Sequence, residues 1–151
     1  MKIFLRKANF SDIEFLWYLR NRPEVYKYSR QNWPVGWKEH INWILPFFLG
    51  WSSRELFVIE NQRFPIGQLR FDYYNKKEAE ISISILKEFH GKGFATRALN
   101  LAIKSIRKQK TIKILVAEIN KKNFPSVKLF EKLNFKFKTE KGNWLKYALD
   151  L

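Results

Sequence analysis

The chain has 151 residues, 46% of them hydrophobic, with no cysteine and a formal net charge of +15. That length is one ordinary domain with enough apolar side chain for a core, and the missing cysteines exclude disulfide frameworks, thiolate zinc sites and cysteine nucleophiles. The two histidines, His40 and His90, are too few for a histidine-rich metal site, so no metal is expected, and the positive charge means either an anionic partner or a lysine-rich solvated surface.

Along the chain, residues 2–8 alternate as a short strand. Ser11 and Glu14 have the spacing of a capping box, with Phe10 and Phe15 as its hydrophobic staple, and the helix they open runs to about Arg20. Residues 21–36, punctuated by Pro23, Pro34 and Gly36, read as irregular. Trp37, Ile41, Ile44, Leu45 and Phe48 follow helical spacing, with Pro46 expected to kink or end that helix. Strands are expected near 55–60 and 66–73, with a turn at Lys76-Lys77. Ile81, Ile83 and Ile85 alternate with Glu80, Ser82 and Ser84 as a half-buried strand. After HGKG, the spacing of Ala95, Leu99, Ala102, Ile103 and Ile106 predicts a helix, and residues 112–119 another strand. Asn123 caps a helix with Pro125 in its first turn, ending near Asn134, and two strands close the chain near 135–139 and 143–149. The sum is a mixed α/β domain spanning 1–151, with a central, mostly antiparallel sheet and helices on its faces. No apolar run approaches the roughly 20 residues of a membrane span, and MKIFLRKANF is broken by Arg6 and Lys7, so a cytoplasmic protein without membrane contact is expected.

The chemistry concentrates at HGKGFA. Gly91 and Gly93 allow positive φ and close approach of backbone to a ligand, and the first amides of the following helix lack intrahelical acceptors. Together with the helix dipole they form an anion site suited to a pyrophosphate, with Lys92 and Arg97 adding charge. GKGFAT lacks the Walker spacing, and Thr96 stands where a dinucleotide fingerprint needs glycine. Taken alone, the same turn also serves as a ligand-free strand-to-helix connection.

The run ISISILKEFHGKGFATRALNLAI resembles the acetyl-coenzyme A motif of the GNAT N-acetyltransferases, Arg/Gln-x-x-Gly-x-Gly/Ala, through His90, Gly93 and Ala95, with His90 departing from the usual residue. EINKKNFPSVKLFEKLNFKF resembles the family's second block, with Asn134 in place of the common glycine, and the N-terminal L-R-x-A-x-x-x-D opening is also similar. The resemblance covers essentially the whole chain. It implies the GNAT fold: an α+β domain with a mixed sheet, splayed central strands and about four flanking helices.

It also implies acetyl-coenzyme A as co-substrate and direct attack of an amine on the thioester. The pantetheine arm would pair with Ile83, Ile85 and Leu86. The diphosphate would sit on the amides of Gly91, Lys92, Gly93, Phe94, Ala95 and Thr96, with His90 donating to phosphate. Asn123 would bond the pantetheine or the reacting centre, beside Phe130. The amine must lose a proton to become a nucleophile. Glu118, at a position the family often uses, is the first candidate base and Glu80 the second; each also reads as a surface or salt-bridged strand carboxylate. Phe130 stands where many relatives carry a tyrosine acid. Ser126 matches a serine of the ribosomal-protein acetyltransferases, and equally a first-turn serine bonded to local backbone.

The segment WYLRNRPEVYKYSRQNWPVGWKEHINWI, with GQLRFD and AEISIS, resembles acetyltransferases of nonulosonic acid biosynthesis. That implies a small-molecule amine acceptor, a UDP-linked 4-amino-4,6-dideoxy sugar on a pseudaminic acid-type route. Arg20, Arg30 and Arg70 would clamp its diphosphate. Tyr28, Trp33 or Trp37 would stack on uracil or sugar, or serve as core. Asn21, Ser29, His40 and Asp72 would read hydroxyls. The alternative acceptor is a protein N-terminus, as in ribosomal-protein modification. A nucleic-acid-binding module or an inactive coenzyme-binding relative ranks lower, no specific nucleic acid is expected, and the protein is expected as a monomer or homodimer.

Overall fold

The computed structural model describes residues 2–151. In chain order, β1 (Ile3–Lys7) is followed by α1 (Ile13–Arg20), α2 (Pro23–Tyr26) and α3 (Trp37–Phe48). A meander of β2 (Arg54–Asn61), β3 (Phe64–Tyr73) and β4 (Glu78–Ile85) then leads into α4 (Phe94–Gln109). β5 (Ile114–Asn120), α5 (Phe124–Lys132), β6 (Lys136–Lys141) and β7 (Trp144–Asp150) complete the order. The strands form one seven-stranded sheet, ordered β1-β2-β3-β4-β5-β7-β6. Every neighbouring pair is antiparallel except β4 and β5.

Period-two alternation sends the two faces of this sheet to different partners. On one face Ile59, Leu69, Phe71 and Ile81 pack with Ala98, Leu99, Ala102 and Ile106 of α4 and with Phe130 of α5. Full burial of one such leucine or isoleucine contributes about 1.5–3 kcal/mol, so this layer holds the domain together. Basic Arg107 and Lys108 in the last turn of α4 oppose the negative end of its dipole. On the other face, α1 and α3 set Leu16 and Ile44 on Leu56 and Val58 of β2. Those helices cover the β1–β2 side. Register puts Gln68 opposite Ser84, Arg70 opposite Ser82, and Asp72 opposite Glu80, so the uncovered remainder of this face is polar.

Four local expectations are corrected. The N-terminal capping box is Asn9 with Asp12, not Ser11 with Glu14. Ser11 N–H donates to Asn9 Oδ1 at 2.9 Å and Asn9 N–H to Asp12 Oδ2 at 2.8 Å, and Arg6 grips the buried Asp12 with two bonds of 2.8 Å. That bidentate clamp fixes the box two residues earlier than the local pattern indicates. Phe10 packs at a tilt against Phe48, ring centroids 4.8 Å apart, rather than acting as a staple to Phe15. Helix α3 does not end at Pro46 but runs through it to Phe48, with His40 and Ile44 buried. A further short helix, α2, lies inside the segment expected to be irregular.

Candidate active site

β4 and β5 pair only from Glu78 with Ile114 to Glu80 with Val116. Beyond that point β4 follows β3 as far as Ile85 opposite Gly67, while β5 follows β7 as far as Asn120 opposite Trp144. Each central strand is held by its outer neighbour, so the two diverge and open a cleft of about 1390 Å³. Its walls include Ile81–Ile85 on one side and Ala117–Asn120 on the other, and the turn at Gly91 and Gly93 lines it together with Arg20, residues 22–31 and Trp33.

Backbone groups of β4 alternate between β3 and the gap. Leu86 N–H bonds Ile66 O at 2.9 Å, toward β3, so Ile83 and Ile85 direct theirs into the cleft. Leu86 therefore does not offer the amide expected of it, and neither it nor Lys92 lines the cleft. Gly91 at φ 72° and Gly93 at φ 84° take the left-handed conformation that glycine alone adopts cheaply. Gly93 is the N-cap of α4, and the first bond of that helix runs from Arg97 N–H to Gly93 O at 3.1 Å. The amides of Phe94, Ala95 and Thr96 precede that bond, have no intrahelical acceptor, and lie in residues that line the cleft. His90 is corrected in role: Nε2 lies 2.7 Å from Ile85 O, a group that only accepts, so this N–H fastens the turn to its own strand and is not available to phosphate.

At the far wall, Asn123 caps α5 by accepting from Ser126 N–H at 3.4 Å. Ser126 and Asn123 line the cleft. Phe130 does too, but it is buried and set edge-on against Phe135, ring centroids 5.0 Å apart, so its position carries packing and no proton. Glu80 sits at the last paired position before the strands part, and Glu118 two residues beyond its partner on the same face. Glu118 is ion-paired with Arg30. Glu80 accepts from the Tyr74 hydroxyl. Burial, the largest cause, holds Glu80 above the usual carboxylate range; Tyr74's bond works against it, while Asp72 and Glu118 push the same way as burial. Two adjacent carboxylates with unlike partners are the arrangement that separates proton affinities in acid–base sites.

The acceptor-side residues divide. Arg20, Tyr28, Ser29, Arg30, Trp33 and Arg70 line the cleft. Asn21 and His40 do not, and their expected role as hydroxyl readers is overturned by where their hydrogen bonds go. The Asn21 amide pins the loop ahead of α3, donating to Trp17 O at 3.1 Å and Val35 O at 3.0 Å while accepting from Val35 N–H at 2.6 Å. His40 is fully buried; its Nε2–H donates to Ile13 O at 2.9 Å and its Nδ1 accepts from Arg20 at 3.1 Å. Burial first holds this ring below its ordinary value, with the bond to Ile13 working against it and Arg20's charge pushing the same way as burial. Trp37 packs edge-on to Trp17 rather than on the cleft. Asp72 is occupied by Arg70 at 3.1 Å and Arg54 at 3.8 Å.

Three residues in this region escape sequence reasoning. Trp43 lies under the Arg20 guanidinium at 4.3 Å from the ring centroid, with Arg70 at 5.8 Å, and lines the cleft. Its helical spacing made it indistinguishable from core. Gln68 is 9% exposed and also lines the cleft, yet its side-chain oxygen has no protein partner. A buried amide atom without a partner is a group awaiting ligand or water. Its signal was faint: a polar residue at a strand position where Ile66 and Leu69 are core. Tyr74, in the turn after β3, gives no sequence sign that it reaches Glu80.

Comparison with known proteins bears on this geometry. The profile of the acetyltransferase (GNAT) domain matches residues 2–136. An uncharacterised protein of Methanocaldococcus jannaschii is 33% identical over 150 residues, covering 93% of this chain and 29% of that protein. An N-alpha-acetyltransferase of Saccharolobus solfataricus is 36% identical over 61 residues, 40% of this chain and 36% of its own length. The chain thus spans well under half of each of these curated relatives. Among solved structures, a domain from M. jannaschii superposes with TM-score 0.87 at 30% identity, covering 99% of both chains. The spermidine N-acetyltransferase of Vibrio cholerae, in complex with CoA and spermine, gives TM-score 0.86 at 20% identity over 98% of this chain and 95% of that one. A ribosomal L7/L12 alpha-N-protein acetyltransferase in complex with coenzyme A gives 0.87 at 18% identity over 100% and 95%. At these last two identities the likeness is one of fold.

Proposed function

This chain belongs to the GNAT acetyltransferase family, and from that premise we propose that it is an acetyltransferase with acetyl-coenzyme A as co-substrate, whose acceptor is a primary amine on an anionic small molecule, a nucleotide-linked amino sugar. The observation that carries this reading is Arg20. Its guanidinium is half-buried at the cleft, has no carboxylate within ion-pair distance among the described residues, rests on Trp43 and faces the like charge of Arg70. Burial first, and Arg70 second, draw it below the ordinary guanidinium range. A cation kept in that setting is relieved by an incoming anion. A diphosphate supplies one, whereas a polyamine would bring more positive charge to the same floor. The unpartnered Gln68 amide suits a sugar hydroxyl, which both donates and accepts.

In this reading the diphosphate of the coenzyme rests on the free amides of Phe94, Ala95 and Thr96, and its arm lies along Ile83 and Ile85. Glu118 takes a proton from the acceptor ammonium, with Glu80 beside it. The nitrogen lone pair then forms the new C–N bond at the thioester carbon, the C–S bond breaks, and the second amine proton ends on the coenzyme thiolate. Glu118→Gln is expected to lower kcat by about 10²–10⁴-fold, the usual worth of a general base, while acetyl-coenzyme A binds as before; unchanged turnover would transfer the role to Glu80. Protein N-terminal acetylation is the second reading, supported by the similarity to an N-alpha-acetyltransferase. Thiol release measured with a UDP-amino sugar, N-terminal peptides and spermidine separates these. Preference for a peptide or for spermidine would overturn the anionic acceptor.

A further inference from the structure

The ion pair between Arg30 and Glu118 joins residues 88 apart in sequence, and it occupies the carboxylate that the reading above needs free. Arg30 belongs to a span fixed at both ends. On one side Ser29 bonds back to Tyr26 O at 3.0 Å and Val25 O at 2.9 Å, and on the other Val35 is held by Asn21 and by Trp17 Nε1 at 2.8 Å. Between these pins the guanidinium crosses the cleft and lies on the Trp144 ring, 4.2 Å from its centroid. Stacking uses the flat face of the group and leaves its in-plane donors free to turn. One of them engages Glu118, and the fork retains others for a second acceptor. The Arg30 side chain is 62% exposed, so the pair is weakly held and can exchange its partner.

We propose that Arg30 is the residue that senses the acceptor: it covers the Glu118 carboxylate in the free enzyme, and the negative group of the acceptor draws the guanidinium away as the amine arrives. This rests on the anionic acceptor and the Glu118 base proposed above. Recognition and proton transfer are thereby coupled. An amine without a negative group leaves Glu118 paired, and water entering the cleft meets a carboxylate that is already satisfied. Once freed, Glu118 accepts one proton from the ammonium and becomes a neutral carboxyl, and the acetyl group passes to nitrogen as written above.

The test uses two amines that differ only in a phosphate, 2-aminoethyl phosphate and ethanolamine, with wild type, Arg30→Gln and Arg30→Gln/Glu118→Gln. Loss of a charge-assisted bond corresponds to about 10–100-fold in kcat/KM, so Arg30→Gln should fall by that order with the phosphate-bearing amine. With ethanolamine it should rise, and the rise should vanish in the double variant. An equal fall with both amines would make Arg30 merely structural and overturn the proposal. Wild type with no preference for the phosphate would instead sink the anionic acceptor, while leaving any rise with ethanolamine as evidence that Arg30 masks Glu118. A readout independent of turnover is the side-chain ¹⁵N signal of Arg30 on adding UDP. It should move in wild type toward its position in Glu118→Gln; a signal that stays at the paired position overturns the sensing role, even if neither small amine is an acceptor.

Discussion

Tyr74 and Glu80 show how much of the candidate chemistry depends on single contacts. The Tyr74 phenol is held above its ordinary range, by burial first and by its bond to Glu80 second, so it remains a donor at any working pH. Its bond pulls the Glu80 carboxyl down, against the stronger upward effect of burial. Tyr74→Phe removes only that downward pull, so Glu80 should move further up. If Glu80 is the titrating base, activity requires its ionised form, and the acid limb of the kcat/KM profile should shift to higher pH. A limb that stays in place while Tyr74→Phe folds normally would assign the limb to another group.

At the scale of elements, the contact between β3 and β4 sets one wall of the cleft. A Cβ on Gly67 would lie 2.4 Å from Ser84 O and 2.9 Å from Ile85 Cγ1. The nearest atom is backbone, so β4 itself must move. Gly67→Ala is expected to cost about 1–3 kcal/mol, the range for overpacking a filled site, and to weaken acetyl-coenzyme A binding, because Ser84 and Ile85 belong to the strand edge that bounds the cleft. Urea unfolding and a coenzyme titration read the two effects separately, and an alanine variant with native stability would show that β4 can yield. The strand and helix periods were legible here because each repeats over many residues: Ile81, Ile83 and Ile85 alternate, and Leu99, Ala102 and Ile106 mark one helical face. The N-terminal cap was misassigned because Arg6, outside the local pattern, chooses Asp12.

For the whole molecule, the sheet consists of two halves, β1–β4 and β5–β7 with β6 at the edge, joined directly by the three-residue ladder Glu78–Glu80. α4 and the buried apolar layer supply the rest of the link. A coenzyme lying between β4 and β5 contacts both halves and binds only where they are assembled. At a hundred times its Kd it should add about 2.7 kcal/mol to stability, or roughly 5–10 °C in Tm for a chain of this length. Thermal unfolding with and without coenzyme A measures this, and an unmoved midpoint at saturating concentration would contradict a cleft that exists only in the folded state.

The sequence by itself determined the alternation of strands and helices, the glycine turn before α4 and the Asn123 cap, because each depends on residues close together in the chain. It also singled out Arg20, Arg30 and Arg70 as candidate clamps for a diphosphate. Only the tertiary structure decided what those charges meet. Asn21 closes a loop on Val35, His40 accepts from Arg20 in the core, and Arg30 reaches Glu118 across the cleft. Hydrogen bonds and ion pairs act over a few ångströms in space whatever the separation in sequence, and the parting of β4 from β5 arises from competition among strands that no single segment contains.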